Sequence, residues 1–424
     1  MAPATDRPSP LLGPPVYVVG GGPGGLAVAA ALRRRGVRAV VLERSQRLGE
    51  SWRRHHDGLR LHTTRRMSSL PGLPMPRSFG RWVARDDLVR YLERYAQVHD
   101  LEVVHGVEVS RLERVGADGG GPGSWVLHAT GGRRLTCRAV VVATGGDSAP
   151  LLPAWPGRGA WPGELLHAAA YRNPAPYRGK DVLVVGAGNS GAEIAVELAE
   201  GGAARVRLAV RTAPHIVRRS VAGWPAQATG VLVRRMPAWP ADPLLRLLER
   251  ATVPDLGPYG LPRATTGPCT RVRRDGALPV HDTGLVEAVR QGLVEPVAAL
   301  ESFTGDGEAV LSDGTRLRPD TVIAATGYRP ALDPLVGHLG VLDPTGRPLV
   351  HGSRTAPGAP HLYFTGFTRP AGGALRELAL DARKIAKRLA AVAPVPAPRA
   401  APAADAPAPR GPRPASMPPV SLPR

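Results

Sequence analysis

The sequence predicts an α/β protein with two doubly wound parallel sheets, the second unit inserted into a discontinuous first. Three observations carry this. A strand, a glycine turn, a helix and a second strand follow one another from Val16, and again from Asp181. Each turn has the form G-x-G-x-x-G, at Gly20 and at Gly186, 166 positions apart. An Ala-Thr-Gly turn ends an apolar strand twice, at Ala143 and at Ala325, and so marks two crossings between the units. Strands alternating with helices through glycine-rich turns form parallel sheets covered by helices on both faces.

Along the chain, Val16-Tyr17-Val18-Val19 is a β-branched strand that runs into Gly20-Gly21-Gly22-Pro23-Gly24-Gly25. An Ala/Leu-rich helix follows to about Arg35, with Gly36 placed to cap it, and residues 37–42 read as the next strand. Residues 86–99 are an amphipathic helix, with Leu88, Tyr91, Leu92 and Tyr95 recurring on one face. Residues 102–104, 125–128 and 138–142 are strand-like. In the second unit, 182–185 is the strand and Gly186-Ala187-Gly188-Asn189-Ser190-Gly191 the turn. Residues 192–200 are the helix, stopped by Gly201-Gly202, and 206–210 and 321–324 are further strands. The expected division is 12–150 and 326–392 for the outer domain and 151–325 for the inserted one. Residues 1–11 and the Pro/Ala-rich 393–424 are expected to be disordered, because proline lacks a backbone donor and little there can be buried.

The glycine turns carry chemistry. The first glycine permits a tight turn, the second lets the backbone approach a pyrophosphate, and the third lets helix and strand pack closely. The helix start then offers unpaired N–H groups to the phosphates. Both turns sit between a strand and a helix, which predicts two Rossmann-like dinucleotide-binding domains. Glu43, at the end of the strand after the first turn, can accept from both ribose hydroxyls. The strand after the second turn ends in Arg211-Thr212, without a carboxylate. A guanidinium there attracts the 2′-phosphate that a carboxylate would repel. The pair therefore implies FAD at the first site and NADPH at the second. Arg218 and Arg219 are further phosphate candidates, with a solvated basic face as the equal alternative.

Composition removes other classes. Disulfide reductases share this layout but need a redox-active cysteine pair. The two cysteines, Cys137 and Cys269, are far apart and away from either turn. The net charge of +20 comes from arginines spread along all 424 residues; only Lys180, Lys384 and Lys387 are lysines, so no basic arm forms. Aromatics at 4% leave few stacking platforms, and no nucleic-acid partner is expected. No apolar run approaches the roughly 20 residues that span a bilayer, and the N-terminus has no apolar signal core. The expectation is a soluble, cytoplasmic protein with no membrane partner and no metal.

Between the two turns stands Trp161-Pro162-Gly163-Glu164-Leu165-Leu166-His167-Ala168-Ala169-Ala170-Tyr171. It resembles the F-x-G-x-x-x-H-x-x-x-[FY] motif of class B flavin-dependent monooxygenases, with Trp for the first Phe. Gly58-Leu59-Arg60-Leu61-His62 with Leu70-Pro71, the G-x-G-N-S-G turn, Ala325-Thr326-Gly327-Tyr328-Arg329 and Leu362-Tyr363-Phe364-Thr365-Gly366-Phe367 resemble stretches of the YUCCA-type members. The resemblance runs from about residue 16 to 389. There are departures: Gly49-Glu50-Ser51-Trp52 loses one Gly of G-G-x-W, and Thr63-Thr64 stands where animal-type members have T-N. Tyr171-Arg172 argues against the Baeyer–Villiger subgroup, and Asp333-Pro334 against the N-hydroxylases.

The resemblance implies an FAD- and NADPH-dependent monooxygenase that transfers one oxygen atom of O2 to a small molecule through a C4a-(hydro)peroxyflavin. The residues expected at FAD are Gly20, Gly21, Gly22, Pro23, Gly24, Gly25, Glu43, Arg44, Trp52, His62, Thr144 and Gly366. Those expected at NADP are Gly186, Ala187, Gly188, Asn189, Ser190, Gly191, Arg211, Thr212, Thr326 and Gly327. His167 and Tyr171 are expected to position the linker; no nucleophile or base is required. A 2-oxo acid such as indole-3-pyruvate is the implied substrate, with Arg263, Arg271, Arg273 and Arg274 as either its receivers or solvated surface. N- or S-oxygenation, and a reductase or oxidase without a stable peroxyflavin, stay open, as does the oligomeric state.

Overall fold

The computed structural model describes residues 15–116 and 124–391. The expectations for 1–11 and 393–424 lie outside the described residues. Within them are two five-stranded parallel sheets. The first orders Leu362–Phe364, Val140–Val142, Val16–Val19, Ala39–Glu43 and Glu102–His105. The second orders Glu164–His167, Thr321–Ala324, Asp181–Val185, Arg205–Ala209 and Glu295–Val297. Gly20 and Gly186 thus end strands of different sheets. The central strands are unbroken apolar runs because both their faces are covered, one by helices and the other by antiparallel strands that bring Leu112, Trp125 and Leu127 onto the first sheet and Phe303, Ala309 and Leu311 onto the second. Helix Pro23–Arg33 buries Leu26, Val28 and Leu32 against helix Ala374–Ala390, which contributes Leu378, Ala382 and Ile385.

The chain leaves the first sheet after Val142 and returns to it at Leu362. Its outward and return crossings lie side by side, Ala149–Pro150 pairing antiparallel with Tyr328–Arg329. The two Ala-Thr-Gly turns therefore mark crossings, as the sequence indicates.

Several regions went unread in the sequence, among them an antiparallel sheet and a helical cap. Val109–Val115 and Arg133–Cys137 flank Ser124–Ala129 in an antiparallel sheet. Their exposed positions carry Arg111, Arg114 and Arg133, which hide the β pattern of a half-solvated sheet. Helices Ala226–Val233, Ala238–Thr252 and Pro268–Asp275 form a cap beside the second sheet. Pro240 falls in the first turn of the second of these and Pro268 opens the third, where a missing N–H costs least, while Pro243 lies inside the second and removes one of its hydrogen bonds. Helix Asn189–Glu200 begins three residues before the expected 192, directly after the second glycine of its turn. Among the described residues no helix is long and apolar enough to cross a membrane.

Candidate functional site

The two glycine turns share one geometry. Gly20 has φ +112° and Gly186 φ +111°, values that side-chain-bearing residues rarely adopt. A Cβ on Gly20 would stand 2.7 Å from the Ala143 carbonyl oxygen, and one on Gly186 2.6 Å from that of Ala325. The Ala-Thr-Gly turn thus packs on the first glycine in each unit. A Cβ on Gly25 would lie 1.9 Å from Gly20 O, and one on Gly191 1.8 Å from Gly186 O. Around Gly22 and Gly188 nothing lies within 4 Å of such a Cβ. Each is the cap of its helix, with Pro23 and Asn189 as the first helical residues. Each open glycine beside a row of free N–H groups is a cradle that fits a pyrophosphate. Gly24 packs against Leu378.

Glu43 turns back onto the first cradle. Its Oε2 accepts from Gly21 N–H at 2.7 Å and its Oε1 from Ser45 N–H at 2.8 Å, which orients the carboxylate. Arg44 is exposed, 4.0 Å from Glu108. Thr144 is exposed beside the cradle, and the Gly366 carbonyl accepts from Gly146 N–H at 2.9 Å. Trp52 packs on the first core and lies 5.6 Å from the His55 ring.

At the second cradle Ser190, Arg211 and Thr212 are exposed and Ala187 is half-buried. The Asn189 side chain is committed to the protein: Oδ1 accepts from His281 N–H at 2.8 Å, and Nδ2 donates to Pro279 O at 3.3 Å. Arg218 and Arg219 do not join Arg211. Arg218 donates to Thr252 O at 2.6 Å. Arg219 donates to Leu61 O at 2.9 Å and stacks over Trp82 at 4.8 Å, which ties it to the other half of the molecule. Of the four other arginines singled out, only Arg273 lines the central cavity. Arg263 and Arg271 donate to the carbonyls of Val253 and Ala213, and Arg274 pairs with Asp275.

The linker motif is structural at each position. A Cβ at Gly163 would lie 2.3 Å from the Trp161 ring, so only glycine lets the indole fold back onto Phe303. His167 Nε2–H donates to Gly327 O at 3.0 Å while its Nδ1 accepts from Ala169 N–H at 3.0 Å, fixing the neutral tautomer. Burial holds its pKa below the ordinary value, although the Gly327 carbonyl pulls the other way. Gly327 O also accepts from Leu151 N–H at 3.0 Å, and Thr326 Oγ1 donates to Leu151 O, so the crossing strands are pinned at this point. Tyr171 is fully buried, stacks on Tyr177 at 5.7 Å, and donates to Glu197 Oε2 at 3.2 Å.

A cavity of about 930 Å³ lies where the sheets and the cap meet. Its walls are mostly apolar, with Trp52, Leu61, Val217, Val233, Leu245 and Leu278. His62, Asn189 and His281 supply polar groups, and Arg218, Arg234, Arg273 and Arg369 bring cations to it. Gln227 holds the cap closed: its amide oxygen accepts from Thr64 N–H at 3.0 Å and its Nε2 donates to Gly372 O at 2.9 Å.

Beneath that cavity the halves meet in a buried histidine–carboxylate cluster. His56 Nδ1 lies 2.9 Å from Glu197 Oε1, and His56 Nε2 3.5 Å from Glu193 Oε2. Burial pulls the His56 pKa down, but the two carboxylates together outweigh it and raise it to about 9. Glu193 and Glu197 stand one turn apart on the helix after the second glycine turn. That i,i+4 pair was the available sequence signal, and it went unused. A raised pKa stabilises the fold fully below the free histidine value near 6.5, and this is lost as pH rises through 9. The expected result is a loss of roughly 2–3 kcal/mol between pH 6.5 and 10. Unfolding midpoints across that range should fall in wild type and much less in His56→Gln; equal falls would refute the assignment.

Both cysteines are free and buried; burial pushes Cys137 up to about 12 and raises Cys269. They lie on separate elements, so thiol–disulfide chemistry has no pair to run on.

A family model described as pyridine nucleotide-disulphide oxidoreductase matches residues 17–225. Indole-3-pyruvate monooxygenase YUCCA1 of Oryza sativa subsp. japonica is 36% identical over 318 residues, covering 74% of this chain and 77% of that protein. The probable indole-3-pyruvate monooxygenase YUCCA3 of Arabidopsis thaliana is 34% identical over 385 residues, covering 88% and 86%. Among solved structures, a mutant flavin monooxygenase from Stenotrophomonas maltophilia aligns with a TM-score of 0.68 at 28% identity, covering 89% of this chain and 98% of that one.

Proposed function

We propose that this chain, which belongs to the YUCCA-type family of flavin-dependent monooxygenases, oxidatively decarboxylates a 2-oxo acid with an aromatic tail, such as indole-3-pyruvate. It is an FAD- and NADPH-dependent enzyme that inserts one oxygen atom of O2 into a small organic molecule. The cavity carries the substrate reading: it is apolar, large enough for an indole, and bordered by four arginines. Each guanidinium has five donors, and the partner each already holds leaves some of them for a substrate carboxylate.

Residues 12–150 and 326–392 are proposed as the FAD domain and 151–325 as the NADPH domain, a division favoured by the separate sheets and the paired crossings. In the first domain, the N–H groups around Gly22, Gly24 and Gly25 would bind the FAD pyrophosphate, while Gly21 N–H holds Glu43, which would take its ribose. In the second, the turn Gly186–Gly191 would bind the NADPH pyrophosphate, and Arg211 with Thr212 the 2′-phosphate. FAD, once bound and reduced by NADPH, supplies the oxygen activation. The protein's own work is alignment and dryness. His167 and Gly327 fix the crossing that sets one domain against the other, while Gln227 and the cap helices shield the cavity from bulk water.

The balance is one 2-oxo acid, one O2, one NADPH and one proton giving the shortened acid, CO2, water and NADP⁺. The test is the ratio of CO2, NADPH, O2 and H2O2 across a panel of 2-oxo acids, amines and sulfides. Indole-3-pyruvate is expected to yield one CO2 per NADPH with little H2O2. Tight coupling with amines or sulfides, and H2O2 alone with 2-oxo acids, would remove the substrate reading.

A further inference from the structure

Beside the cavity a line of proton-carrying side chains crosses the seam between the halves, and four of them are unused by the reading above. Glu197, on the outer side, keeps 22% of its side chain exposed. It reaches His56, which is 6% exposed, at 2.9 Å. The other nitrogen of His56 lies 3.5 Å from Glu193 Oε2, and Glu193 Oε1 lies 3.5 Å from His62 Nε2. His62 lines the cavity and stacks on His281 at 5.0 Å, and His281 lines it too. The Nδ1 atoms of both, and His56 Nε2, are buried without a hydrogen-bond partner among the described residues, so the two 3.5 Å steps at Glu193 close only when its side chain shifts. Imidazole and carboxylate alternate, and each has two heteroatoms, so a proton taken at one can leave from the other.

We propose that Glu197, His56, Glu193 and His62 form a relay that carries the solvent proton consumed in each turnover into the reaction cavity. The inference rests on the monooxygenase function. Each turnover there reduces one oxygen atom to water; the hydride of NADPH supplies two electrons and one hydrogen, and a solvent proton supplies the other. Along the relay, His56, protonated on both nitrogens at rest, gives its Nε2 proton to Glu193, and Glu193 gives one to His62 Nε2. His62 releases the proton on Nδ1 toward the cavity. Glu197 takes a solvent proton, the His56 ring turns over to bring its bare nitrogen to Glu197, and that nitrogen is reprotonated. A half-turn of His62 restores its starting tautomer, and each group returns to its starting charge.

The surrounding charges set the direction. His56 faces Glu193 and Glu197 from the helix, with Tyr171 and His55 beside it, and its carboxylates hold it protonated at neutral pH. His62 faces Glu193, His56 and Arg219, and burial lowers its pKa. His281, facing His62 and Arg219, is lowered to about 3, first by burial. The resting proton therefore sits on His56, and His62 holds one only in passing.

The deciding variant is Glu193→Gln, which keeps the shape and cannot relay. His56 is followed by imidazole ¹⁵N NMR, and flavin reduction and reoxidation with substrate by rapid mixing in H2O and D2O. In wild type the His56 midpoint should lie near pH 9 and reoxidation should show a solvent isotope effect. In Glu193→Gln the midpoint should fall by more than a pH unit. The ratio of reoxidation to reduction rate should drop at least about tenfold, the scale of one lost general-acid step, with partial recovery at lower pH. Glu197→Gln should act in the same direction and serves if the first variant does not fold. An unchanged His56 midpoint, or equal slowing of both half-reactions, overturns the relay. A wild type that turns all its O2 into H2O2 with every substrate would instead refute the monooxygenase function, and the NMR titration would still decide the relay.

Discussion

Alanine at Gly25 is expected to yield a protein that retains almost no FAD, whereas alanine at Gly191 should keep FAD and lose NADPH. The added methyl carbons would stand 1.9 Å and 1.8 Å from the oxygens of Gly20 and Gly186. Carbon needs about 3.5 Å there, so the helix must retreat by more than an ångström from its strand. Overpacking of this kind costs roughly 1–3 kcal/mol. The retreat also spoils charge-assisted bonds worth about 1.5–3 kcal/mol from helix start to phosphate. Together they amount to roughly a hundredfold or more in affinity. The effects should separate because the two turns belong to different sheets. Gly22→Ala is the control: its methyl meets nothing within 4 Å, so the fold should be untouched while the cradle fills. Flavin absorbance of the purified variants and NADPH titration of flavin reduction decide it. A Gly25→Ala protein that keeps its FAD would show that the first turn does not hold the dinucleotide.

Arg211→Ala should lower the ratio of NADPH to NADH use by about ten- to a hundredfold, the worth of one charged hydrogen bond. Arg211 is exposed two residues beyond its strand, with no ion pair or hydrogen bond among the described residues, so its removal should leave stability alone. A planar guanidinium can meet the 2′-phosphate with paired donors, which NADH cannot use. Arg218 and Arg219 cannot replace it without leaving Thr252 and Leu61. Flavin reduction rates with each cofactor measure the ratio. If it does not fall, Arg211 is not the phosphate ligand; if wild type prefers NADH, the second site was misread.

Much of this was legible in the chain because it depends on local geometry. A tight βα turn needs glycines at fixed spacing, so both turns, their strands and their helices could be located from residue types alone. The Ala-Thr-Gly turns were legible for a related reason, since each packs its alanine carbonyl on the first glycine. The motif from Trp161 to Tyr171 was visible as a pattern, but its reason was not: the fold-back of Trp161 onto Phe303 and the bond of His167 to Gly327 link residues 142 and 160 positions apart. The cap helices were missed because their prolines suggest loops. Only the structure shows Pro240 and Pro268 in opening turns, where the N–H is dispensable, and Pro243 tolerated inside a helix.

The sequence by itself determined the two parallel units, their glycine turns and the family. Each of these is written in residues close together in the chain. The tertiary structure alone decided where the arginines point, what lines the cavity, and that His56, His62, Glu193, Glu197 and His281 meet. Those residues come from three segments at least 84 positions apart, and nothing local requires them to be neighbours. They become a cluster because packing these segments together buries charges that must then find partners.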